Sequence, residues 1–202
     1  MDKSEYTLRI RDLSRIIAHP QDDQAEVQRR VKNYCSRNLM VTRHVDETDN
    51  RKPILLAPPD ALTAAVIMRV FDTGLNSPHA SQAAAMRMHS WRPQDFNPAY
   101  QSGDPINFPP DMPRDPAAMI WQDWQENPAT AQWSLSLRWL RHKGSGETFI
   151  QGILHNAAEG ILGSDLPPDN SAQWGITCEL VIVLDDILER ISANLAGIRA
   201  EL

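Results

Sequence analysis

The stretch "VQRRVKNYCSRNLM", residues 27–40, carries five nitrogen-rich side chains and no acid in fourteen positions. These side chains are Arg29, Arg30, Lys32, Asn33 and Arg37. Apolar residues lie between them at helical spacing, so the stretch predicts an amphipathic helix with a basic exposed face. Such a face is typical of an ordinary solvated helix, or of a helix that lies against a negatively charged partner.

The composition around this stretch is that of a soluble globular protein. Of 202 residues, 42% are hydrophobic and 23% are charged, and no apolar run approaches the roughly 20 residues of a membrane span. The first ten residues are too polar for a secretory signal. Two cysteines, Cys35 and Cys178, lie far apart in the sequence, which favours a reducing compartment over a disulfide scaffold. We therefore expect a cytoplasmic protein with no membrane segment.

The charge is divided unevenly along the chain. The net charge is -6, but residues 1–60 hold 11 Lys+Arg against 10 Asp+Glu, and residues 61–202 hold 9 against 16. Because salt screens charges beyond about 8 Å, a basic helix can bind a polyanion even on an acidic protein. The acidic remainder would disfavour loose, nonspecific binding to nucleic acid.

The segments around the basic helix predict a short series of helices and one hairpin. Asp22 and Asp23 can cap the basic helix, and Asn38 is suited to a left-handed cap at its end. In chain order, the predicted elements are a helix at 9–18, a turn at 19–24, the basic helix at about 25–38, a hairpin with a charged tip at about 41–57, and helices at 58–76 and 77–91.

Residues 92–116 hold seven prolines and predict a stiff, extended linker. Phe96, Tyr100, Ile106 and Phe108 recur along it. They favour anchoring of the linker on the surface of its own protein, and the alternative is a strip that binds a partner.

Residues 117–202 predict a short helix, an antiparallel hairpin, a third strand at 175–184 and a terminal helix at 185–202. A reversal at Gly144-Ser145 pairs Leu135 with Leu154, Leu137 with Gly152 and Trp139 with Ile150, so one register satisfies both strands. The terminal helix carries a heptad seam. Its members are Leu188, Ile191, Leu195, Ile198 and Leu202.

Residues 8–90 resemble the DNA-binding domain of the MerR family of transcription regulators. The family's recognition helix typically runs Val-Arg-Thr-Ile-Arg-Tyr-Tyr-Glu and closes with Gly-Leu-Leu. This chain supplies Arg29, Val31, Lys32, Tyr34 and Leu39-Met40 in the same order, with Asn38 in place of the glycine. The helix that follows matches at Asp60, Val66, Ile67, Val70, Gly74 and Leu75. The chain departs from the family at Asn33, which replaces the first tyrosine, and in an acidic wing.

The element order and the resemblance imply a mainly α protein with small β elements. Residues 1–91 would form a winged helix-turn-helix domain, residues 92–116 a linker, and residues 117–202 a small α+β domain for dimerisation or sensing. The protein would be a transcription regulator that binds double-stranded DNA. Its recognition helix, about 25–38, would enter the major groove, and its wing, about 41–57, would lie on the DNA backbone.

The candidate DNA contacts follow from side-chain chemistry. Arg29 and Arg30 can bond to guanine, and Gln28 can read adenine. Lys32 and Arg37 would bind phosphate, with the hydroxyl of Tyr34 as a further backbone contact. The wing would contribute Arg43, Arg51 and Lys52.

The sequence contains no catalytic or metal-binding constellation that we recognise. The six histidines do not cluster, and no nucleophile elbow is present. We therefore expect no enzymatic activity, no cofactor and no metal. Six tryptophans favour a core with large side chains, or alternatively an aromatic pocket for a small apolar effector.

Two further questions stay open at this point. The first is whether the winged helix binds DNA or a protein, as in an antirepressor or an assembly factor. The second is the role of the heptad seam. We expect a homodimer to which helix 185–202 contributes, and the alternative is that this helix packs on the apolar face of the hairpin.

Overall fold

A computed structural model describes residues 7–42, 44–74, 77–92, 111–128, 132–158, 160–164 and 173–201. Within these residues the protein has a mixed α/β fold with two antiparallel sheets. The predictions for residues 93–110 of the linker and for Arg43 lie outside the described residues.

The helices begin close to the positions that the sequence predicted. The helices are α1 (Ile10–Ile17), α2 (Gln24–Ser36), α3 (Pro58–Asp72), α4 (Pro78–His89), α5 (Pro116–Glu126) and α6 (Asp185–Glu201). The strands are β1 (Leu8–Arg9), β2 (His44–Val45), β3 (Ile54–Leu56), β4 (Trp133–His142), β5 (Thr148–Asn156), β6 (Gly160–Ser164) and β7 (Trp174–Val183).

The first sheet joins the start of the chain to the hairpin that follows α2. Its strand order is β1-β3-β2, with Leu8 opposite Leu56 and Val45 opposite Ile54. The hairpin was predicted, but strand β1 was not, because two residues are too short to show an alternating pattern. Sheet pairing therefore ties the hairpin to the segment that leads into α1.

The second sheet has the strand order β6-β5-β4-β7. The predicted hairpin register is confirmed, with Leu135 opposite Leu154, Leu137 opposite Gly152 and Trp139 opposite Ile150. The predicted third strand is β7, which pairs with β4. Strand β6 was missed, because its sequence "GILGS" contains two glycines and no alternation of apolar and polar residues.

The two parts of the chain share one hydrophobic core. Helix α4 lies against β4 and β5, and α6 packs on α1 and α3. The buried apolar side chains of both parts form one continuous cluster that runs from Leu8 to Ile198. The segments predicted as two domains are therefore joined through their cores.

Helix α6 follows neither of the two arrangements that the sequence suggested. Its seam residues Leu188, Ile191, Leu195 and Ile198 are buried within the chain, against α1 and α3 rather than on the hairpin. The side-chain amide of Asn194 also donates to the carbonyl oxygen of Ile16 at 2.8 Å. The described seam residues are covered by the chain itself, and the homodimer stays a prediction.

Candidate nucleic-acid interface

Helix α2 is defined at both ends by polar residues that the sequence had singled out. The Asp23 carboxylate accepts from the backbone N–H of Ala25 at 2.9 Å, which caps the helix start. At the other end Asn38 has a φ of 55°, the left-handed conformation predicted for it. This lets the backbone N–H of Leu39 donate to the carbonyl oxygen of Tyr34 at 2.9 Å.

The two faces of α2 differ sharply in chemistry. Val27, Val31 and Tyr34 are buried in the core. The exposed face carries Arg29, Lys32, Asn33, Ser36 and Arg37, with one acid, Glu26, at its start. Helical spacing thus places the predicted basic residues on the side of α2 that faces away from the protein.

Two of the predicted base-contacting residues are held by acids in the free protein. The Arg29 guanidinium binds the Glu26 carboxylate through two hydrogen bonds of 2.7 Å. Arg30 binds Glu26 at 3.1 Å and Asp72 at 2.8 Å. The sequence interpretation missed both acids, although Glu26 lies one helical turn before Arg29 and Arg30, a spacing that favours ion pairs.

These hydrogen bonds keep Glu26 ionised. The hydrogen bonds from Arg29 and then Arg30 lower the pKa of the Glu26 carboxyl to about 2. Glu26 therefore carries a full negative charge beside the exposed basic face at neutral pH.

The hydroxyl of Tyr34 is too deeply buried for the predicted phosphate contact. Its side chain is buried, with 4% of the residue surface exposed. The ring stacks on Phe71 of α3, with the two planes 2° apart and the ring centroids at 5.9 Å. Among the described residues the hydroxyl has no hydrogen-bond partner, and burial raises its pKa to about 12. Tyr34 thus fixes α2 on the core and leaves phosphate contacts to other residues.

Replacing Tyr34 by Phe should leave DNA affinity unchanged and should raise stability at neutral pH by up to about 1 kcal/mol, since a buried hydroxyl without a partner is costly. The raised pKa adds a second expectation. Because the folded state resists ionisation of this hydroxyl, the free energy of unfolding should be independent of its titration below the ordinary pKa of about 10 and should fall as pH rises from there through about 12.

Urea unfolding at pH 7 and across the range from pH 10 to 12 would measure both effects. The wild type should lose more stability than Tyr34→Phe over the alkaline range. A clear loss of DNA affinity in this variant would show that the hydroxyl reaches the nucleic acid after all.

The arginines of α2 line a cleft of about 270 Å³. Its lining consists of the polar residues Glu26, Arg29, Arg30, Asn33 and Arg37 together with Tyr34, Leu39 and Phe71. The cleft therefore combines a polar, largely cationic rim with an apolar wall. Gln28 is half-buried and does not line the cleft, so the predicted adenine contact lies apart from the arginines.

The tip between β2 and β3 has an internal structure that occupies its acids. The Asp46 carboxylate accepts from the backbone N–H of Thr48 at 3.0 Å, and that of Asp49 accepts from the backbone N–H of Arg51 at 2.9 Å. Arg9 bridges both acids, at 3.6 and 3.4 Å. Arg51 and Lys52 are exposed beside them, as predicted for wing residues, and Lys52 has a φ of 44°.

The tryptophans make hydrogen bonds within the protein. The indole N–H of Trp133 donates to Asp123 at 2.6 Å, and that of Trp124 donates to Ser192 at 3.0 Å. Trp133 lines a cleft of about 290 Å³ whose other walls include Asp111, Asp123 and Glu126. These acidic walls do not suit the small apolar effector that the tryptophans suggested.

Three other findings bear on the kind of site. Within the described ranges, no three side chains of His, Cys, Asp or Glu come together in a way that could hold a metal ion. None of the helices in that part of the chain has the length and apolar character to cross a membrane. Comparison of the chain with protein-family models, with curated proteins and with solved structures gives no match.

Proposed function

We propose that the protein is a DNA-binding transcription regulator that places α2 in the major groove of double-stranded DNA. The observation that carries the proposal is the exposed face of α2, where Arg29, Lys32, Asn33 and Arg37 project and a single acid, Glu26, pairs with Arg29. In helix-turn-helix proteins the second helix enters the major groove, where its side chains reach base edges. The proposal includes no catalytic step and no cofactor, and it places the protein in the cytoplasm.

The arrangement around α2 supports a winged helix-turn-helix. Helices α1 and α2 are followed by the β2–β3 hairpin, which pairs with β1 ahead of α1. This is the order that the resemblance to the MerR family implies for the DNA-binding part of the chain. The hairpin would act as the wing and bring Arg51 and Lys52 to the DNA backbone.

The basic residues divide by their surroundings into base and phosphate contacts. Arg29 has 65% of its side chain exposed and can form paired hydrogen bonds with guanine. Lys32 and Arg37 lie exposed on the same helix and would bind phosphate. Arg30 is held by Asp72 of α3. It would therefore orient α2 on the DNA backbone rather than contact a base.

The double variant Lys32→Ala, Arg37→Ala should bind DNA more weakly on all sequences and with a shallower dependence on salt. Each phosphate contact contributes about 0.9 to the slope of log K against log salt concentration, so the slope should fall by about 2. Fluorescence anisotropy with a duplex that the wild-type protein has selected from a random pool would measure affinity at several salt concentrations.

A matched control is Arg141→Ala, Lys143→Ala, which removes the same charge from exposed positions at the β4–β5 turn. That control should retain the wild-type slope. Equal slopes in all three proteins would contradict the proposed orientation of α2. Selection of no duplex, together with weak binding that does not respond to salt, would favour the alternative that the winged helix binds a protein.

A homodimer belongs to the same proposal. Two-fold DNA sites place two recognition helices about 34 Å apart, and a symmetric dimer meets that spacing. The surface that favours self-association is β7, which within the described strands pairs with β4 alone. Ile176, Val181 and Val183 of this strand are exposed. Its outer edge is unpaired among the described strands and could pair with a second copy of the chain. The stoichiometry of the same DNA titration tests this, and one chain per duplex would rule it out.

A further inference from the structure

The lining of the α2 cleft holds three cations and one anion, and a second anion binds one of these cations from outside the lining. Arg29, Arg30 and Arg37 face Glu26 in the same cleft, and Asp72 binds Arg30 from α3. Arg37 lies exposed at the end of α2, and Asn33 contributes an amide between the arginines. The three arginines less Glu26 and Asp72 leave one net positive charge.

Glu26 fills the position that an incoming anion would need. One carboxylate oxygen of Glu26 accepts from Arg29 at 2.7 Å and from Arg30 at 3.1 Å, and the other accepts from Arg29 at 2.7 Å. A guanidinium fork binds carboxylate and phosphate through the same paired geometry. A phosphate can therefore take over these donors without any change in how Arg29 and Arg30 are oriented.

The exchange of Glu26 for a phosphate should cost little. The side chains of Arg29 and Glu26 are 65% and 37% exposed, and ion pairs at such sites add little to stability. Arg30 stays anchored to Asp72 at 2.8 Å, so only Glu26 has to turn away. Water can reach the released carboxylate at the helix surface.

The apolar residues of the cleft can pack against a sugar that is attached to the phosphate. Phe71 and Leu39 are half-buried, and the buried ring of Tyr34 stacks on Phe71. A volume of about 270 Å³ exceeds that of a bare phosphate and leaves room for an attached sugar. A sugar has a carbon skeleton that can pack on such a wall while its phosphate meets the arginines.

We propose that this cleft is a binding site for a sugar-phosphate group, and that Glu26 is a built-in competitor that occupies Arg29 and Arg30 until the phosphate displaces it. The group can come from a free nucleotide, or from the DNA backbone, in which case Arg29 binds phosphate in place of guanine. The DNA source rests on the proposed function, whereas the free nucleotide does not.

The first experiment follows the arginine side chains of the full-length protein by NMR. Thymidine 5′-monophosphate should shift the Nε–H signals of Arg29, Arg30 and Arg37 along a saturable curve, and thymidine without phosphate should not. Inorganic phosphate should shift the same signals with a weaker affinity, because it lacks the sugar. Absence of a saturable shift with the nucleotide would overturn the site.

The second experiment removes the competitor. Glu26→Gln should bind thymidine monophosphate more tightly, by up to about fivefold, which is the range expected for release of an exposed ion pair. Glu147→Gln is the control, since it changes the charge equally at the β4–β5 turn and can still accept from Ser145. Equal affinities in these two variants would overturn the role of Glu26.

Duplex DNA separates this inference from the proposed function. If Glu26→Gln binds the selected duplex more tightly than Glu147→Gln, the backbone is a source of the phosphate. If both variants bind the duplex equally while the protein still selects DNA, the competitor role fails and the proposed function stands. Saturable nucleotide binding without any duplex binding would support the cleft and contradict the proposed function.

Discussion

Replacing Arg114 by Met should destabilise the protein by about 3–5 kcal/mol at neutral pH, since it removes the cation from between two buried carboxylates. Arg114 binds Asp60 at 2.9 Å and Asp115 at 2.9 Å. The side chains of Arg114, Asp60 and Asp115 are 9%, 13% and 3% exposed. The two acids also cap α3 and α5, through the backbone N–H groups of Ala57 and Ala118.

The effect of Arg114→Met should depend on pH. Burial raises the pKa of Asp60, and the charge of Arg114 opposes that rise. Removing Arg114 should raise the pKa of Asp60 further. A raised carboxyl pKa favours the folded state at low pH and loses that contribution as pH rises through the folded value. The stability difference between the two proteins should therefore narrow as pH falls from 7 toward about 4, the ordinary carboxyl range.

Urea unfolding of the wild type and of Arg114→Met at several pH values would measure this difference. Arg138→Met is the control, because Arg138 pairs with Glu179 at 2.8 Å in an exposed position, and its loss should cost less than about 1 kcal/mol. If the difference in free energy of unfolding between the wild type and Arg114→Met stays constant from pH 7 to 4, the Asp60 carboxylate is not protonated in the variant over this range.

The second large effect is expected for Ile191→Ala in α6, which should cost about 2–5 kcal/mol, as large-to-small changes in a closed core do. Ile191 is fully buried, and α6 packs on α1 and α3. The loss should weaken the helices of the N-terminal part as much as α6 itself, because all of them share one core. Glu189→Ala, at an exposed position of the same helix, should change stability by no more than about 0.5 kcal/mol.

Two probes report separately on the two parts of the chain in this experiment. All six tryptophans lie at position 91 or later, so their fluorescence reports on the second sheet and the helices around it. Amide exchange of α1 and α2 reports on the N-terminal part. The two signals should change together in Ile191→Ala, and sedimentation should show an unchanged oligomeric state. Protected amides in α2 after loss of the tryptophan signal would mean that the parts fold independently.

What the sequence determined by itself is the set of local elements. The left-handed cap at Asn38, the start of α2 at Asp23 and the register of the β4–β5 hairpin were all predicted correctly. Each depends on residues that are close in the chain, where capping chemistry and the alternation of apolar side chains act directly. The basic face of α2 belongs to the same class, because helical spacing alone places those residues together.

The features that only the tertiary structure decided are contacts between residues far apart in the chain. Asp72 binds Arg30 across 42 residues, and Asn194 reaches Ile16 across 178. The stack of Tyr34 on Phe71 turns a predicted DNA contact into a core residue. The seam of α6 has the spacing of a dimer helix, yet spacing gives only the apolar face and not the surface that covers it. That choice follows from which surfaces meet when the whole chain closes its core.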